Sequence, residues 1–133
     1  MTGTVLTAGD SVTLRAPEIT RTTLALYAGA SGDHNPVHID TDACRAVGIP
    51  DVFAHGMLSM AYLGRLLTDW VPQERIRSYG VRFAAITPVN TTPFCTGTVV
   101  SVADGLARLD LTVSLPDGTV TLRGSAVVTA TAG

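Results

Sequence analysis

Apolar and polar residues alternate most regularly in the last third of the chain. From residue 107 to residue 115 every second side chain is apolar, and the residues between them are Arg108, Asp110, Thr112 and Ser114. A period of two residues is typical of a strand that is buried on one face. Pro116-Asp117-Gly118 then predicts a turn, and the alternation resumes over residues 120–128. The pattern predicts two antiparallel strands joined by this turn.

The segment Gly56–Trp70 has a different pattern, which predicts a long helix. Its apolar residues occupy most sides of a helical wheel, and Arg65 and Asp69 are its only charged residues. These two lie four positions apart, where side chains of a helix can pair. A helix that is apolar on most sides is typically buried. We therefore expect this segment to form the centre of the fold.

The remaining predicted elements are shorter. They are a strand over residues 11–19, a helix with Thr20 as its N-cap, one or two helical turns over residues 40–47, and strands around residues 81–83 and 92–102. Residues 31–39 are predicted to be irregular, because Gly32 and Pro36 interrupt both periods. A curved antiparallel sheet wrapped around one central helix satisfies this order. The predicted fold class is α+β, with a single domain over residues 1–133.

Composition limits the classes of function. Of the 133 residues, 46% are apolar and 15% are charged, so little charge covers the surface and an oligomer is expected. The net charge of −2 argues against binding of nucleic acid, which selects basic surfaces. The N-terminus has no run typical of a signal peptide, and no stretch has the length of a membrane span. We therefore expect a cytoplasmic protein without membrane association.

The cysteines and one group of arginines have plain interpretations. Cys44 and Cys95 belong to no metal or redox motif and are predicted to be core residues. Arg75, Arg77 and Arg82 form a small basic cluster. A solvated face is the preferred interpretation of this cluster, ahead of contact with a phosphate-bearing ligand or an acidic carrier protein.

The most informative residues for chemistry lie in the irregular stretch. Asp33, Asn35 and His38 bring a carboxylate, an amide and an imidazole into six residues. An imidazole titrates near neutrality and a nearby carboxylate can orient it or carry a proton, so Asp33 and His38 are candidates for a general acid/base pair. Asp33 and Asn35 could equally bond backbone amides of a turn. His34 and His38 have the spacing of two helical metal ligands, but Pro36 between them argues against a helix and hence a metal site.

Gly56 begins the predicted central helix. Unpaired N–H groups at a helix start favour an oxyanion, and the missing side chain lets a carbonyl oxygen approach. The alternative is that Gly56 only permits tight packing of the helix start. His55 is interpreted as structural, and Ser59 could reach the loop or bond its own helix backbone.

Together these residues closely resemble the signature of the MaoC-like, or hydratase 2, family of hot-dog-fold enzymes. The matching positions are Tyr27, Ser31-Gly32-Asp33, Asn35-Pro36-Val37-His38, Ala54-His55-Gly56-Met57, Arg82-Phe83 and Pro88-Val89. The resemblance covers essentially the whole chain and implies a single hot-dog fold. Two positions depart from the family pattern: Cys44 stands where Ala or Ser is usual, and Asn90-Thr91-Thr92 replaces a Gly-Asp turn.

The resemblance also implies an activity, in which Asp33 and His38 form a catalytic dyad. The dyad would add water to a trans-2-enoyl thioester with (R) specificity and dehydrate a (3R)-hydroxyacyl thioester in reverse. The N–H of Gly56 would polarise the thioester carbonyl, and no cofactor or metal is implied. The candidates for substrate binding are Asn35, Ser59 and His55. The expected carrier is coenzyme A or acyl carrier protein, and the expected assembly is a homodimer or a heterodimer with a homologous hot-dog subunit.

Two alternative functions remain open at this point. A hot-dog thioesterase would hydrolyse the same thioester, but it needs a carboxylate placed at the carbonyl carbon, whereas the spacing of Asp33 and His38 is typical of the hydratases. The second alternative is a non-catalytic acyl-binding subunit of a heteromeric dehydratase. Such a subunit has no need of a matched acid/base pair, so the presence of both Asp33 and His38 argues against it.

Overall fold

The computed structural model describes residues 4–132. Its helices are α1 (Arg21–Ser31), α2 (Thr41–Ala46) and α3 (Gly56–Trp70), with 3₁₀ turns at Pro36–His38 and Gln73–Arg75. Its strands are β1 (Ser11–Arg15), β2 (Ile76–Phe83), β3 (Phe94–Ala103), β4 (Leu106–Ser114) and β5 (Val120–Thr129). No helix within the described residues is long and apolar enough to cross a membrane.

The five strands form one antiparallel sheet in the order β1-β3-β4-β5-β2. Buried and exposed side chains alternate along β4, as predicted. The predicted turn joins β4 to β5, with Gly118 at a φ of 91° that favours glycine. A second tight turn at Asp104-Gly105 joins β3 to β4, with φ values of 55° and 77°. Positive φ at both central residues is the geometry of two-residue hairpins.

Helix α3 packs against β1, β2, β3 and β4, so the fold is α+β with the sheet placed around one central helix. The main core lies between them. Its buried members from α3 are Leu63, Leu66, Leu67 and Trp70, and those from the sheet include Cys95, Val99, Leu109, Leu111, Val113, Leu122 and Val128. Burial of each large side chain contributes about 1.5–3 kcal/mol to folding, which makes this layer the main source of stability.

The opposite side of α3 is open. Met57, Ala61, Arg65, Thr68 and Asp69 are exposed. The expectation that the helix is buried on most sides is therefore wrong for the single chain, because the sheet lies against one face. The predicted pair on the open face is confirmed, since Arg65 Nε lies 3.8 Å from Asp69 Oδ2.

A second hydrophobic cluster lies under the segments that precede α3. Its buried members are Ile19, Leu24, Cys44, Val52, Ala54, Leu58 and Val89. They join α1 and α2 to the first turn of α3. Because the irregular stretch with Asp33 and His38 runs between α1 and α2, this cluster fixes both of its ends.

Two strand boundaries differ from the prediction. β1 ends at Arg15, because Pro17 has no N–H to donate to a ladder, and Ile19 forms only an isolated bridge to Thr91. β2 begins at Ile76, several residues before its predicted start. An irregularity in its pairing between Ile76 and Ser78 interrupts the period of two, which hides the first half of the strand in the sequence.

The interpretation of the arginine cluster as a solvated face is wrong for Arg75. Its side chain is 4% exposed and donates to the backbone oxygens of Thr4 and Thr129, each at 2.8 Å. Arg75 therefore joins the start of the described chain to the end of β5. Cys44 and Cys95 are free and buried, as predicted.

Candidate active site

The loop with the candidate acid/base pair begins where α1 ends. Gly32 caps the helix at a φ of 79°, a left-handed conformation that favours glycine and turns the chain toward Asp33. The side chain of Asn35 caps the next turn, Pro36–His38, by accepting from Val37 N–H at 3.2 Å. In the structure Asn35 thus serves the backbone of the loop, and its role in substrate binding stays a prediction.

His38 is held by the segment before α3. Its Nδ1 lies 2.8 Å from the carbonyl oxygen of Phe53. A carbonyl can only accept, so Nδ1 carries the proton and Nε2 presents its lone pair. Phe53 is fixed in turn, because its N–H donates to Val37 O at 3.2 Å and it bridges to Pro88 after β2. The fold therefore sets the tautomer of His38.

The free nitrogen of His38 faces Asp33. Nε2 lies 3.8 Å from Asp33 Oδ2, and the side chains differ in exposure, with 10% for His38 and 53% for Asp33. This separation is longer than a hydrogen bond, so both groups remain available to a third partner. A water molecule or a substrate hydroxyl can bond to both at once. The structure thus brings together the two residues that the sequence predicts as a dyad.

His55 completes this group. Its Nε2 lies 3.1 Å from the backbone oxygen of Asp33, and its ring is stacked on that of His38 with centroids 3.8 Å apart and planes 24° apart. Tyr27 contacts the same ring edge-on at 4.8 Å. Burial lowers the pKa of His55 below its ordinary value, against an opposing effect of the bond to Asp33. The sequence indicated neither the stacking nor the contact with Tyr27, although Tyr27 was among the motif residues.

Asp33, His38 and His55 also place one ligand atom each within 4.8 Å of one another, which raises the question of a metal. His38 Nδ1 and His55 Nε2 are bonded to backbone oxygens. The remaining nitrogens lie on two stacked, nearly parallel rings, so their lone pairs do not converge on one point. Metal ligands must converge at about 2 Å, and this arrangement fits that requirement poorly.

Gly56 is the first residue of α3, and the preceding His55 makes no side-chain cap. The N–H groups of the first turn are therefore not occupied by a capping side chain. The ring of Phe83 lies against the same residue: a Cβ at position 56 would be 2.8 Å from two of its carbons. Gly56 therefore provides both an accessible helix start and room for Phe83. The structure supports the packing interpretation, and the chemical role of Gly56 stays a prediction.

A cavity of about 480 Å³ opens beside Gly56. Its lining residues are Phe53, Ala54, Gly56, Met57, Phe83, Ala84, Ala85, Ile86, Thr87 and Leu122. Met57, Phe83 and Ile86 at this cavity are each more than half exposed. The walls are almost entirely apolar, so the cavity suits a hydrocarbon or thioester group.

Ser59 lies one turn into α3 and is fully buried, and its hydroxyl has no hydrogen-bond partner among the described residues. It bonds neither the loop nor its own helix, contrary to both expectations. A buried hydroxyl without a partner is uncommon in folded proteins. Its contact with a substrate stays a prediction.

Comparison with known proteins identifies relatives along most of the chain. A family model described as MaoC like domain matches residues 4–116. The 3-hydroxyacyl-thioester dehydratase X of Mycobacterium tuberculosis is 36% identical over 109 residues, which cover 80% of this chain and 37% of that protein. Dehydratase Z of the same organism is 34% identical over 115 residues, which cover 81% of this chain and 74% of that protein. The chain therefore spans little more than a third of one relative and about three quarters of the other.

Solved structures with the same fold include R-hydratase PhaJ1 of Pseudomonas aeruginosa. Its TM-score is 0.84 at 24% identity, with 96% of this chain and 84% of that chain covered. The ChsH1-ChsH2 complex of Mycobacterium tuberculosis gives a TM-score of 0.81 at 24% identity, with 92% and 97% covered. At this level of identity the likeness speaks for the fold alone, which is the predicted hot-dog fold.

Proposed function

Because the chain belongs to the MaoC-like dehydratase family, we propose that it catalyses the reversible (R)-specific hydration of trans-2-enoyl thioesters. The reverse reaction is the dehydration of (3R)-hydroxyacyl thioesters. Two of its relatives are named 3-hydroxyacyl-thioester dehydratase Z and (R)-specific enoyl-CoA hydratase. The observation that carries the proposal is the approach of His38 Nε2 to Asp33 Oδ2 at 3.8 Å. His55, whose ring stacks on that of His38, immediately precedes the helix start at Gly56.

In the hydration direction the dyad binds the water between its two side chains. The water oxygen bonds to Cβ of the substrate while the electrons of the double bond move toward Cα and the thioester carbonyl. The proton that the water loses passes to the dyad, and the dyad returns a proton to Cα. Asp33 and His38 therefore end the reaction with the protons they had at the start. General acid–base catalysis of this kind contributes about 10²–10⁴-fold to a rate.

The start of α3 stabilises the charge that develops on the substrate. The N–H of Gly56 donates to the thioester oxygen, which becomes enolate-like as the water adds. A donor of this kind is worth on the order of 10²–10³ in kcat. The apolar cavity beside Gly56 holds the neighbouring part of the thioester, and Asn35 and Ser59 are candidate contacts for its polar groups.

The first test is the loss of enoyl absorbance from crotonyl-CoA and from a longer trans-2-enoyl-CoA. Wild-type protein is expected to hydrate both substrates. The substitutions Asp33→Asn and His38→Ala are each expected to lower the rate by a factor on the order of 10²–10⁴. Release of free thiol is measured in the same cuvette. Thiol release without hydration would favour a thioesterase, and activity that survives both substitutions would exclude the dyad.

The proposed carrier is coenzyme A or acyl carrier protein, and the proposed assembly is a homodimer or a heterodimer with a homologous hot-dog subunit. The exposed side of α3 and the exposed apolar residues at the cavity support an assembly. The ChsH1-ChsH2 neighbour is a complex of two named proteins, which makes a heteromer a concrete option. The molar mass of the chain purified without a partner distinguishes the two forms: the mass of two chains indicates a homodimer, and the mass of one chain indicates a need for a different subunit.

A further inference from the structure

His55 contacts both members of the proposed dyad through different parts of its side chain. Its Nε2–H donates to the backbone oxygen of Asp33 at 3.1 Å, and its ring faces that of His38 at 3.8 Å. The whole residue is 2% exposed. With these two contacts the enclosed side chain is well placed to fix the residues that react with the substrate.

The ring of His55 is itself fixed from a separate element. Tyr27, on α1, contacts it edge-on with planes 68° apart. Edge-to-face pairs of this kind have a preferred geometry and restrict the orientation of both rings. His55 also immediately precedes α3, so one side chain links α1, the loop of Asp33 and the start of the central helix.

The charge of His55 matters for its neighbour. The ionisable groups around its ring are Tyr27, Asp33 and His38. A neutral His55 ring can stack on the His38 ring without charge repulsion. Two charged imidazoles in such a stack would repel each other. Burial lowers the pKa of His55 and so favours the neutral form that this arrangement needs.

We propose that His55 is a positioning residue: its N–H holds the backbone of Asp33, and its ring sets the plane of the His38 imidazole, without contact to the substrate. The proposal rests on the proposed function of the Asp33 and His38 dyad. It differs from the substrate-binding role that the family resemblance implies for His55. The two contacts of His55 thus have separate roles, and each contact can be removed by its own substitution.

Two variants separate these tasks. His55→Gln keeps an N–H donor at a similar reach but removes the ring, whereas His55→Phe keeps a ring but removes the donor. Each is expected to lower kcat for crotonyl-CoA by about tenfold to a hundredfold, because small misplacements of catalytic groups have effects of this size. KM is expected to change by no more than about twofold, since uniform substrate binding is unaffected. The matched control is His34→Gln, because His34 is exposed in the same loop.

A second measurement does not depend on activity. The chain has three histidines, so ¹⁵N-histidine labelling gives three resolvable pairs of ring nitrogens. We expect His38 protonated at Nδ1 and His55 at Nε2, as their carbonyl partners require. Both His55 variants are expected to shift the resonances of the His38 ring nitrogens, whereas His34→Gln is expected to leave them unchanged.

The outcomes separate the two proposals. Unchanged kcat and unchanged His38 signals in folded His55 variants would overturn the positioning role, and a raised KM with constant kcat would identify a substrate contact instead. If wild-type protein lacks hydratase turnover, the proposed function fails. The His38 signals then still decide whether His55 holds that ring, and thermal melting confirms that each variant is folded.

Discussion

At the scale of single residues, Gly56 combines two requirements that mutagenesis can separate. Its position at the start of α3 leaves N–H groups available, and its lack of a side chain admits the Phe83 ring. Alanine at this position keeps the N–H but adds a Cβ at 2.8 Å from two carbons of Phe83. The same methyl group would also narrow the approach of a carbonyl oxygen.

Gly56→Ala is expected to lower the melting temperature and to reduce kcat/KM, because the ring must move and the approach is obstructed. Adding Phe83→Ala removes the clash and is expected to restore most of the melting temperature. If Gly56 serves packing alone, the double variant recovers the kcat/KM of Phe83→Ala. If its open N–H binds the thioester, the double variant stays below that reference. Melting curves and crotonyl-CoA kinetics of the two single variants and the double variant distinguish these two roles of Gly56.

The lowered pKa of His55 predicts a pH dependence of stability. Because the folded pKa lies below the ordinary value of 6.5, the unfolded chain takes up this proton first as the pH falls. The stabilising contribution is therefore complete above about pH 6.5 and is lost as the pH decreases below it. The melting temperature of wild-type protein is expected to fall between pH 7.5 and 5 more steeply than that of His55→Phe. An equal slope in both proteins would contradict the assignment.

The sequence indicates the residues of the proposed dyad but not what holds them in place. Asp33 and His38 are recognisable because they lie within one loop and follow a known spacing. Phe53, whose carbonyl fixes the His38 tautomer, contributes a backbone atom, and backbone atoms leave no signal in residue identity. The stack of His38 on His55 likewise depends on how α1 and α3 pack, which no local pattern specifies.

At the scale of elements, a polar network joins the starts of α1 and α2 to the segment before α3. Arg21 donates to Asp51 Oδ1 at 2.9 Å and to Thr41 at 3.1 Å, and Thr41 donates to Asp51 at 2.7 Å. The hydrogen bond from Arg21, followed by that from Thr41, lowers the pKa of Asp51. The network therefore reinforces, from the surface, the ends of the segments that carry the site.

Asp51→Asn is expected to lower the melting temperature at pH 7, because the amide cannot form the same charged pair with Arg21. The depressed pKa means that the stabilisation is present above the ordinary value of 3.8 and is lost as the pH falls below it. The difference in melting temperature between wild-type protein and Asp51→Asn should therefore narrow on acidification below about pH 4. A difference that stays constant with pH would show that the charge of Asp51 is not involved.

Ser59→Ala tests the buried hydroxyl on α3. Removing a buried polar group without a partner is close to neutral or stabilising, so the melting temperature is expected to stay equal or to rise. A marked decrease would show that the hydroxyl has a partner in solution. If kcat/KM falls while stability holds, Ser59 contacts the substrate, and Ser59→Thr, which keeps the hydroxyl, serves as the matched control.

The long apolar helix α3 and the strands β3 and β4 were predicted with nearly correct bounds, whereas β1 and β2 were not. Burial alternates along the whole of β4, and the Thr20 cap is confirmed by its bond from Thr23 N–H at 3.1 Å. The exposed side of α3 was missed because an apolar composition predicts burial but does not show which element, or which partner chain, covers the helix. β2 was shortened because its pairing irregularity shifts the side chains by one position.

At the scale of the whole molecule, few residues are charged, and exposed apolar residues lie at the rim of the cavity. Ile86 and Val100 are both about half exposed, but only Ile86 lines the cavity beside Gly56. If the chain assembles through the neighbourhood of its site, a charge at position 86 should interfere, since burying an unpaired carboxylate is costly.

Ile86→Asp is expected to lower the molar mass of the assembly in light scattering, without unfolding the chain. Val100→Asp carries the same change on the sheet and is expected to leave the mass as in wild-type protein. Both variants are compared at one concentration with circular dichroism as the check of folding. Loss of assembly in Val100→Asp alone would move the interface to β3.

The contacts of Phe53 determine when the candidate site can assemble during synthesis of the chain. Its carbonyl holds His38, its own position depends on the bridge to Pro88, and Ala54 N–H donates to Thr87 O at 2.8 Å. The ribosome delivers Asp33, His38 and Gly56 first, but the residues that anchor their support come a whole helix and strand later. The proposed catalytic groups are thus synthesised before the residues that anchor them, and a nascent chain carries them unanchored until the segment after β2 has joined the fold.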